Sequence, residues 1–345
     1  MLAPIAWRVP PRHYGPWERV VAILTEGLVA RGVDVTLFAT GDSETRARLR
    51  AVVPRGYEED RSLDAKVYEG LHIGAAFEAA RRGEIDLLHN HFDFLPLTYS
   101  RLVHPATPVV TTIHGFSSQR ILPVYRAYAD VAHYVSISDA DRSTALRYAA
   151  TIHHGIPLEE FTFRESPAAA PDDYLLYFGR IHPDKGAHDA IELAGRAGRR
   201  LVLAGIVQDE AYWRTRIEPH VDGHWVRYVG SVGPRDRDAL LGGATALLHL
   251  IHFAEPFGLS VVEAMATGTP VIAYALGSMP EIIRDGVNGF LVAENDMQAA
   301  VAALEHVSDL DRRAGRAHVA ARFSAERMVD DYLRLYRSVV EGVRQ

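Results

Sequence analysis

The chain of 345 residues has no cysteine. That excludes disulfides, thiolate metal sites and a cysteine nucleophile, and it fits a reducing compartment. Lysine is almost missing as well: of 37 basic residues only Lys66 and Lys185 are lysines. An arginine bias of this kind reflects genome composition, so each remaining lysine is informative. Positive charge is not in excess, because the net charge is -7 and neither half of the chain is basic overall. A nucleic-acid partner is therefore not expected, although a local patch for peripheral membrane contact stays open. No apolar run approaches the ~18 residues that span a bilayer, and MLAPIAWRVPPRH lacks the basic-then-apolar layout of a signal peptide. The expectation is a cytoplasmic protein. There is no short-period repeat and no low-complexity segment.

What is present has the composition of a globular α/β protein, 48% hydrophobic and 23% charged. The length fits two domains of roughly 150 to 170 residues. Short β-branched runs alternate with amphipathic stretches from end to end, the pattern of parallel sheets with crossover helices. The first half predicts strands at 2–6, 33–39, 85–91, 108–114, 132–138 and 151–154. The first of these is short, so the chain reads as starting late. In WERVVAILTEGLVARG the residues Val20, Ile23, Leu24, Gly27 and Leu28 make one apolar helical face. RESPAAAPDD, residues 164–173, has the look of a linker. Beyond it strands are expected at 174–179, 199–205, 224–230, 244–251, 270–275 and 289–292. The last stretch, from Ser324 as N-cap, reads as an amphipathic helix.

Two such series predict two Rossmann-like doubly wound domains, whose ligands lie beyond the carboxyl ends of the strands. With two sheets, the cleft between domains is the default site. Three strand ends of the second half carry polar groups. YFGRIHPDKG supplies Arg180, a planar bidentate donor for a diphosphate, and Lys185, a point charge. VGSVGP supplies Gly230 and Ser231. HFAEPFGLSVVE supplies Glu255 and Glu263 around a turn whose N–H groups, at Phe257, Gly258 and Leu259, open the next helix. A carboxylate accepts two donors, so Glu263 suits both hydroxyls of a ribose and Glu255 suits sugar hydroxyls.

HFAEPFGLSVVEAMATGTPVIA resembles the E-x7-E signature of retaining glycosyltransferases of the GT-B fold, family 4. FGRIHPDKG is similar to that family's G-R-x-x-x-x-K-G element, and GSMPEIIRDGVNGFLV to its G-x-x-E-x-x-x-x-G-x-x-G-x-x-V continuation. YGPWERVVAILTEGLVARGVDVTLFATGDS, HNHFD, TTIHG and HHGIPLEEF stand in the family's order, so the resemblance covers almost the whole chain. It implies a nucleotide-diphosphate sugar, UDP- or GDP-linked, as co-substrate, and no other cofactor or metal. It assigns the donor to the C-terminal domain: sugar hydroxyls to Glu255, ribose to Glu263, diphosphate to Arg180 and Lys185. His114 of the N-terminal domain reaches the transferred hexose. The implied chemistry is front-face transfer to a hydroxyl acceptor, the leaving phosphate taking the acceptor proton. One departure stands out: Gly15-Pro16 replaces the family's usual Gly-Gly, and a proline there has no N–H to donate. Gly15 remains a donor-loop candidate, and Tyr14, Trp17, His91 and Asp93 are candidate acceptor residues.

Each candidate has a plainer rival. Glu263 suits a helix start, where the macrodipole favours a carboxylate. Arg180 and Lys185 suit a solvated loop, and His114 a structural role. His89 and His91 share a strand face but have no third metal ligand near them in sequence. The D-x-D pairs Asp139/Asp141 and Asp236/Asp238 read as helix caps rather than metal ligands. A sugar-nucleotide 2-epimerase and a non-catalytic sugar-nucleotide binder are the alternatives to transfer. The expected domains are 1–165 for acceptor and 166–323 for donor, with 324–345 packing back on the first.

Overall fold

The computed structural model describes residues 1–115, 119–168 and 173–344. Its contacts divide the chain into two units, Met1–Gly155 with the stretch from Ala325 onward, and Ile156–Ser324. The division falls earlier than residue 165 for a definite reason. The N–H of Ile156 donates to the carbonyl of Phe323 at 2.9 Å, Phe161 O accepts from Arg316, and Arg164 binds Asp238. The segment after Gly155 is thus anchored on the second unit. Of the expected linker, residues 169–172 lie outside the described residues.

In the first unit β1 (Thr36–Phe38) pairs in parallel with β2 (Arg48–Arg50). A separate parallel run is ordered β3 (Leu88–Asn90), β4 (Val109–Ile113), β5 (Ala132–Ser136) and β6 (Ala150–Thr151). The strand expected at 2–6 contracts to Leu2, which bridges both Phe38 and Asn90 and so joins the two runs. Pro4 explains the contraction, since it brings no N–H to a ladder. β2 was not anticipated; its alternation of arginine and leucine is that of an exposed edge. Helix Pro16–Ala30 buries Val20, Val21, Leu24, Thr25 and Leu28, so the buried stripe turns toward Val21 and away from Ile23. The final helix, Ala325–Arg344, belongs to this unit. It buries Met328, Val329, Tyr332, Leu335 and Val339, at spacings of one, three and four along one face. Gly27 permits its approach, because a Cβ there would lie 2.4 Å from Val329 Cγ2.

The second unit is one parallel sheet ordered β12 (Gly289–Val292), β11 (Val271–Tyr274), β10 (Ala246–His249), β7 (Leu175–Phe178), β8 (Leu201–Ala204) and β9 (Val226–Tyr228). Leu175, Leu203, Leu248 and Ile272 from its strands enclose a core with Leu193 of helix Ala187–Arg196 and Ala300 of helix Met297–Glu305. β7 comes first in this unit yet sits in the interior of the sheet, with its successor β8 on one side and β10 on the other. The winding direction reverses between β7 and β10. Such a switch point splays the following loops apart and opens a crevice at the carboxyl ends.

The D-x-D reading needs correction. No helix follows Asp139 and Asp141, and Asp139 instead accepts from Thr151 Oγ1 at 2.8 Å. Asp236 lies within the first turn of helix Pro234–Gly243, capped by Gly233. Asp238 lies inside that helix and holds the Thr162 N–H at 2.8 Å.

Candidate active site

The two loops that flank the switch point are those that carry the charged candidates. After β7 comes Arg180, whose guanidinium meets the side-chain oxygen of Gln208, and then Lys185. After β10 comes the loop with Glu255. Lys185 Nζ lies 2.7 Å from Glu255 Oε2, both side chains being mostly buried, and stands over the Phe253 ring at 4.5 Å. Gly186 makes this approach feasible, and Gly277 seats the Glu255 loop from its other side. Gly186 has φ +69° and a Cβ there would lie 1.8 Å from Leu250 O, while a Cβ on Gly277 would lie 2.4 Å from the backbone of Glu255. The Ser278 N–H donates to Glu255 O at 2.9 Å, and its hydroxyl donates to Phe257 O at 3.0 Å. The glutamate loop is therefore held from both sides.

Gly258, at φ 85°, is the N-cap of helix Leu259–Ala266. Glu263 is the fifth residue of that helix, not part of its first turn, so helix-start chemistry does not account for it. It is only 3% exposed and faces Arg237 Nη1 at 3.3 Å. Arg237 also stacks over Phe161. Gly230 has φ 72° and open space around its Cβ position. Its carbonyl accepts from the Gly205 N–H at 2.8 Å, which ties the loop after β9 to the end of β8, and exposed Ser231 follows.

The first unit gathers four histidines. His114, at the end of β4, bonds His91 Nδ1 through Nε2 at 2.9 Å and His154 Nε2 through Nδ1 at 3.3 Å. His91 in turn meets His89 at 3.1 Å, and His89 meets Tyr336 and Thr112. Burial pushes all four well toward the neutral form, His114 down to about 3. The Trp17 ring stacks on His114 at 5.2 Å. The acceptor reading of His91 is corrected here: it is completely buried, and both its nitrogens serve other histidines, so it orients His114 from behind. Asp93 accepts the Leu95 N–H at 2.7 Å, with burial raising its pKa. Tyr14 is half-buried against the edge of Trp7.

Gly15 has φ 147° and precedes Pro16 at the first helical position, where an N–H would have no intrahelical partner in any case. The proline therefore suits the helix, and Gly15 O still accepts from Arg19 N at 2.9 Å. Sequence reasoning missed Glu18 in this turn, a buried carboxyl raised to about 7 by desolvation against hydrogen bonds from the Glu18 and Trp7 backbones. It also missed Arg237, Ser278 and His249, the last buried at the end of β10 and lowered to about 4. The signal for Arg237 was thin, one of two arginines in GPRDRDALL.

Family comparisons agree along the chain. The family described as glycosyl transferases group 1 matches residues 159–322, and the one described as Glycosyltransferase Family 4 matches residues 17–160. D-inositol 3-phosphate glycosyltransferase 1 of Catenulispora acidiphila is 32% identical over 312 residues, covering 76% of this chain and 74% of its own. The chain belongs to glycosyltransferase family 4. The glycogen synthase of Mycobacterium tuberculosis is 28% identical to this glycosyltransferase over 385 residues, covering 95% and 90% of the two chains. Among solved structures, Anabaena HepE in complex with UDP and glucose superposes with a TM-score of 0.72 at 18% identity, over 94% of this chain and 96% of that one. The family 4 glycosyltransferase is thus an enzyme with the GT-B fold of two Rossmann-like domains. Among its described residues no helix is long and apolar enough to cross a membrane.

Proposed function

We propose that this glycosyltransferase moves a hexosyl group from a UDP-linked sugar to a hydroxyl acceptor with retention of anomeric configuration and without a divalent metal on the diphosphate. The observation that carries the reading is the Arg180, Lys185 and Glu255 set on the two loops that flank the switch point. UDP is preferred over GDP because a neighbour of the same fold was solved with UDP and glucose. In this reading the pair of Lys185 and Glu255 exchanges partners on binding, the ammonium turning to the diphosphate and the carboxylate to sugar hydroxyls. Arg180 and the first-turn N–H groups of helix Leu259–Ala266 add to the same anion.

The bond from the anomeric carbon to the diphosphate oxygen then breaks while the acceptor oxygen bonds the same face. The acceptor proton passes to the departing phosphate oxygen, so no protein base is required. What the protein contributes is fixed positive charge where negative charge develops. Arg237 holds Glu263 toward the ribose. His114, its two nitrogens occupied by His91 and His154, stays neutral and offers no free ring nitrogen to a sugar.

A thermal-shift panel with UDP, GDP and ADP, with no magnesium present, tests this. A ligand at 100 times its dissociation constant adds about 2.7 kcal/mol, which moves the melting midpoint of a domain of this size by several degrees. UDP should produce that shift in the native chain and lose most of it in Arg237→Met. With UDP-glucose and a hydroxyl acceptor, NMR of the product should show the anomeric configuration of the donor. No shift from any nucleotide, or an inverted product, refutes the proposal.

A further inference from the structure

A second constellation lies beside these loops and takes no part in the transfer reading. His188 and Asp189 open helix Ala187–Arg196, and His252 stands three residues before Glu255. Their ligand atoms all lie within 4.8 Å of one another: His188 Nε2 is 3.2 Å from Asp189 Oδ1 and His252 Nε2 is 3.0 Å from Asp189 Oδ2. The two rings face different oxygens of the one carboxylate, and both separations are slightly under the about 3.3–3.5 Å between donors on one ion with metal bonds of about 2.0–2.2 Å.

Outer contacts orient both rings. His252 Nδ1 meets Glu294 Oε1 at 3.1 Å. A carboxylate only accepts, so Nδ1 carries a proton, and Nε2 is the ring atom turned toward Asp189. That Nε2 is buried without a hydrogen-bond partner, although it stands 3.0 Å from an Asp189 oxygen. The pair is thus close without the alignment of a hydrogen bond, the placement expected of two ligand atoms that face a shared cation. His188 Nδ1 has its own partner in the Tyr212 hydroxyl at 2.7 Å, and Asp189 is oriented by the Tyr274 hydroxyl at 2.5 Å. Ring nitrogens with outer hydrogen bonds, one of them to a carboxylate, are the usual support of a histidine metal ligand.

We propose that His188, Asp189 and His252 form a binding site for one divalent transition-metal ion of the zinc class, which clamps the loop carrying Glu255 onto the start of helix Ala187–Arg196. Two imidazoles and one carboxylate suit zinc, cobalt or nickel rather than magnesium or calcium, which prefer oxygen alone. The clamp reinforces a link the backbone already makes, since the His252 N–H donates to Asp184 O at 2.9 Å, next to Lys185. The role is structural: it braces the Lys185–Glu255 loops and leaves the diphosphate to the cationic side chains.

The test uses the full chain, stripped with a chelator that is then removed, and titrated with Co²⁺ alone while the visible spectrum is followed. One equivalent should give a tetrahedral cobalt band that Zn²⁺ displaces. His252→Ala and Asp189→Asn should abolish it. Glu294→Gln, an outer-contact change at a partly exposed position, should weaken binding 10- to 100-fold with an unchanged near-ultraviolet circular dichroism spectrum. His306→Ala, which removes the exposed pair of His306 and Asp309, should change nothing. The proposal is overturned by absence of the band, as expected if His252 is simply protonated between its carboxylates, or by a band that all of these variants retain. No nucleotide is involved, so the result stands apart from the transfer reading.

Discussion

Glu18 gives the most direct check on the energetics of the first loop. Its carboxyl is 3% exposed and desolvation raises it from 4.5 to about 7. The folded chain therefore binds a proton that the unfolded chain has released, and unfolding free energy falls as pH rises between those values. Below about pH 4.5 both states hold the proton and the contribution to stability is complete; above about pH 7 neither does and the loss is complete. At about 1.4 kcal/mol per decade of proton affinity, the loss is about 3 kcal/mol, a sizeable share of the stability of a domain. Glu18→Gln keeps the shape and an acceptor for the Trp7 N–H but cannot ionise. Urea unfolding followed by tryptophan fluorescence, in a background of Trp213→Phe and Trp225→Phe so that Trp7 and Trp17 alone report, gives the free energy of the first unit. The difference between Glu18→Gln and its parent should grow in favour of the variant by about 3 kcal/mol from pH 4.5 to pH 8. A difference that stays flat across this range would show that the carboxyl is hydrated in solution and that the reasoning from burial is wrong.

Three further outcomes are expected. Gly186→Ala, with a left-handed backbone and Leu250 O at 1.8 Å from the new methyl, should lower the melting temperature of the second unit far more than Gly223→Ala. The latter has φ +77° and open space, so its cost is the backbone strain of about 1–2 kcal/mol alone; equal melting curves would refute the packing argument. Lys185→Ala and Glu255→Gln should each lower kcat about 10²- to 10³-fold, and the double variant should lose less than the product because the two groups are paired at 2.7 Å. Since burial holds His114 down to about 3, kcat/KM from pH 5 to 9 should show no step assignable to it, and an inflection near pH 6.5 that vanishes in His114→Gln would contradict a neutral ring.

How much of this was legible in the sequence follows from which interactions are local. Strand centres were readable because β-branched runs such as VVTTI owe their state to their own composition, and β12 matches its expected limits. Ends were not, because strand length is set by partners: Leu2 alone bridges where five residues were expected, and β2 pairs only because β1 lies beside it. The charged groups at the switch point were legible because the order of strands and glycines puts Arg180, Lys185 and Glu255 on successive loop ends. Their mutual pairing was not, since it depends on a 70-residue separation that no local pattern records.

The same limit explains His91 and His252. In HNHFD, alternation put His89 and His91 on one strand face and suggested a solvent-facing acceptor wall. The decisive fact is that His114 and the final helix cover that face, and its covering residues are Tyr332 and Tyr336, more than 200 positions away. His252 stood in the sequence only as the first residue of the glutamate motif, and nothing there singled out His188 and Asp189. Only folding brings the three together, and only Glu294, 42 positions beyond His252, orients that ring from its outer side. Gly186 lets the Lys185 loop approach Leu250 O, the Lys185–Glu255 pair and the His252 N–H to Asp184 O already tie the two loops, and the proposed cation would add a third tie at the same place.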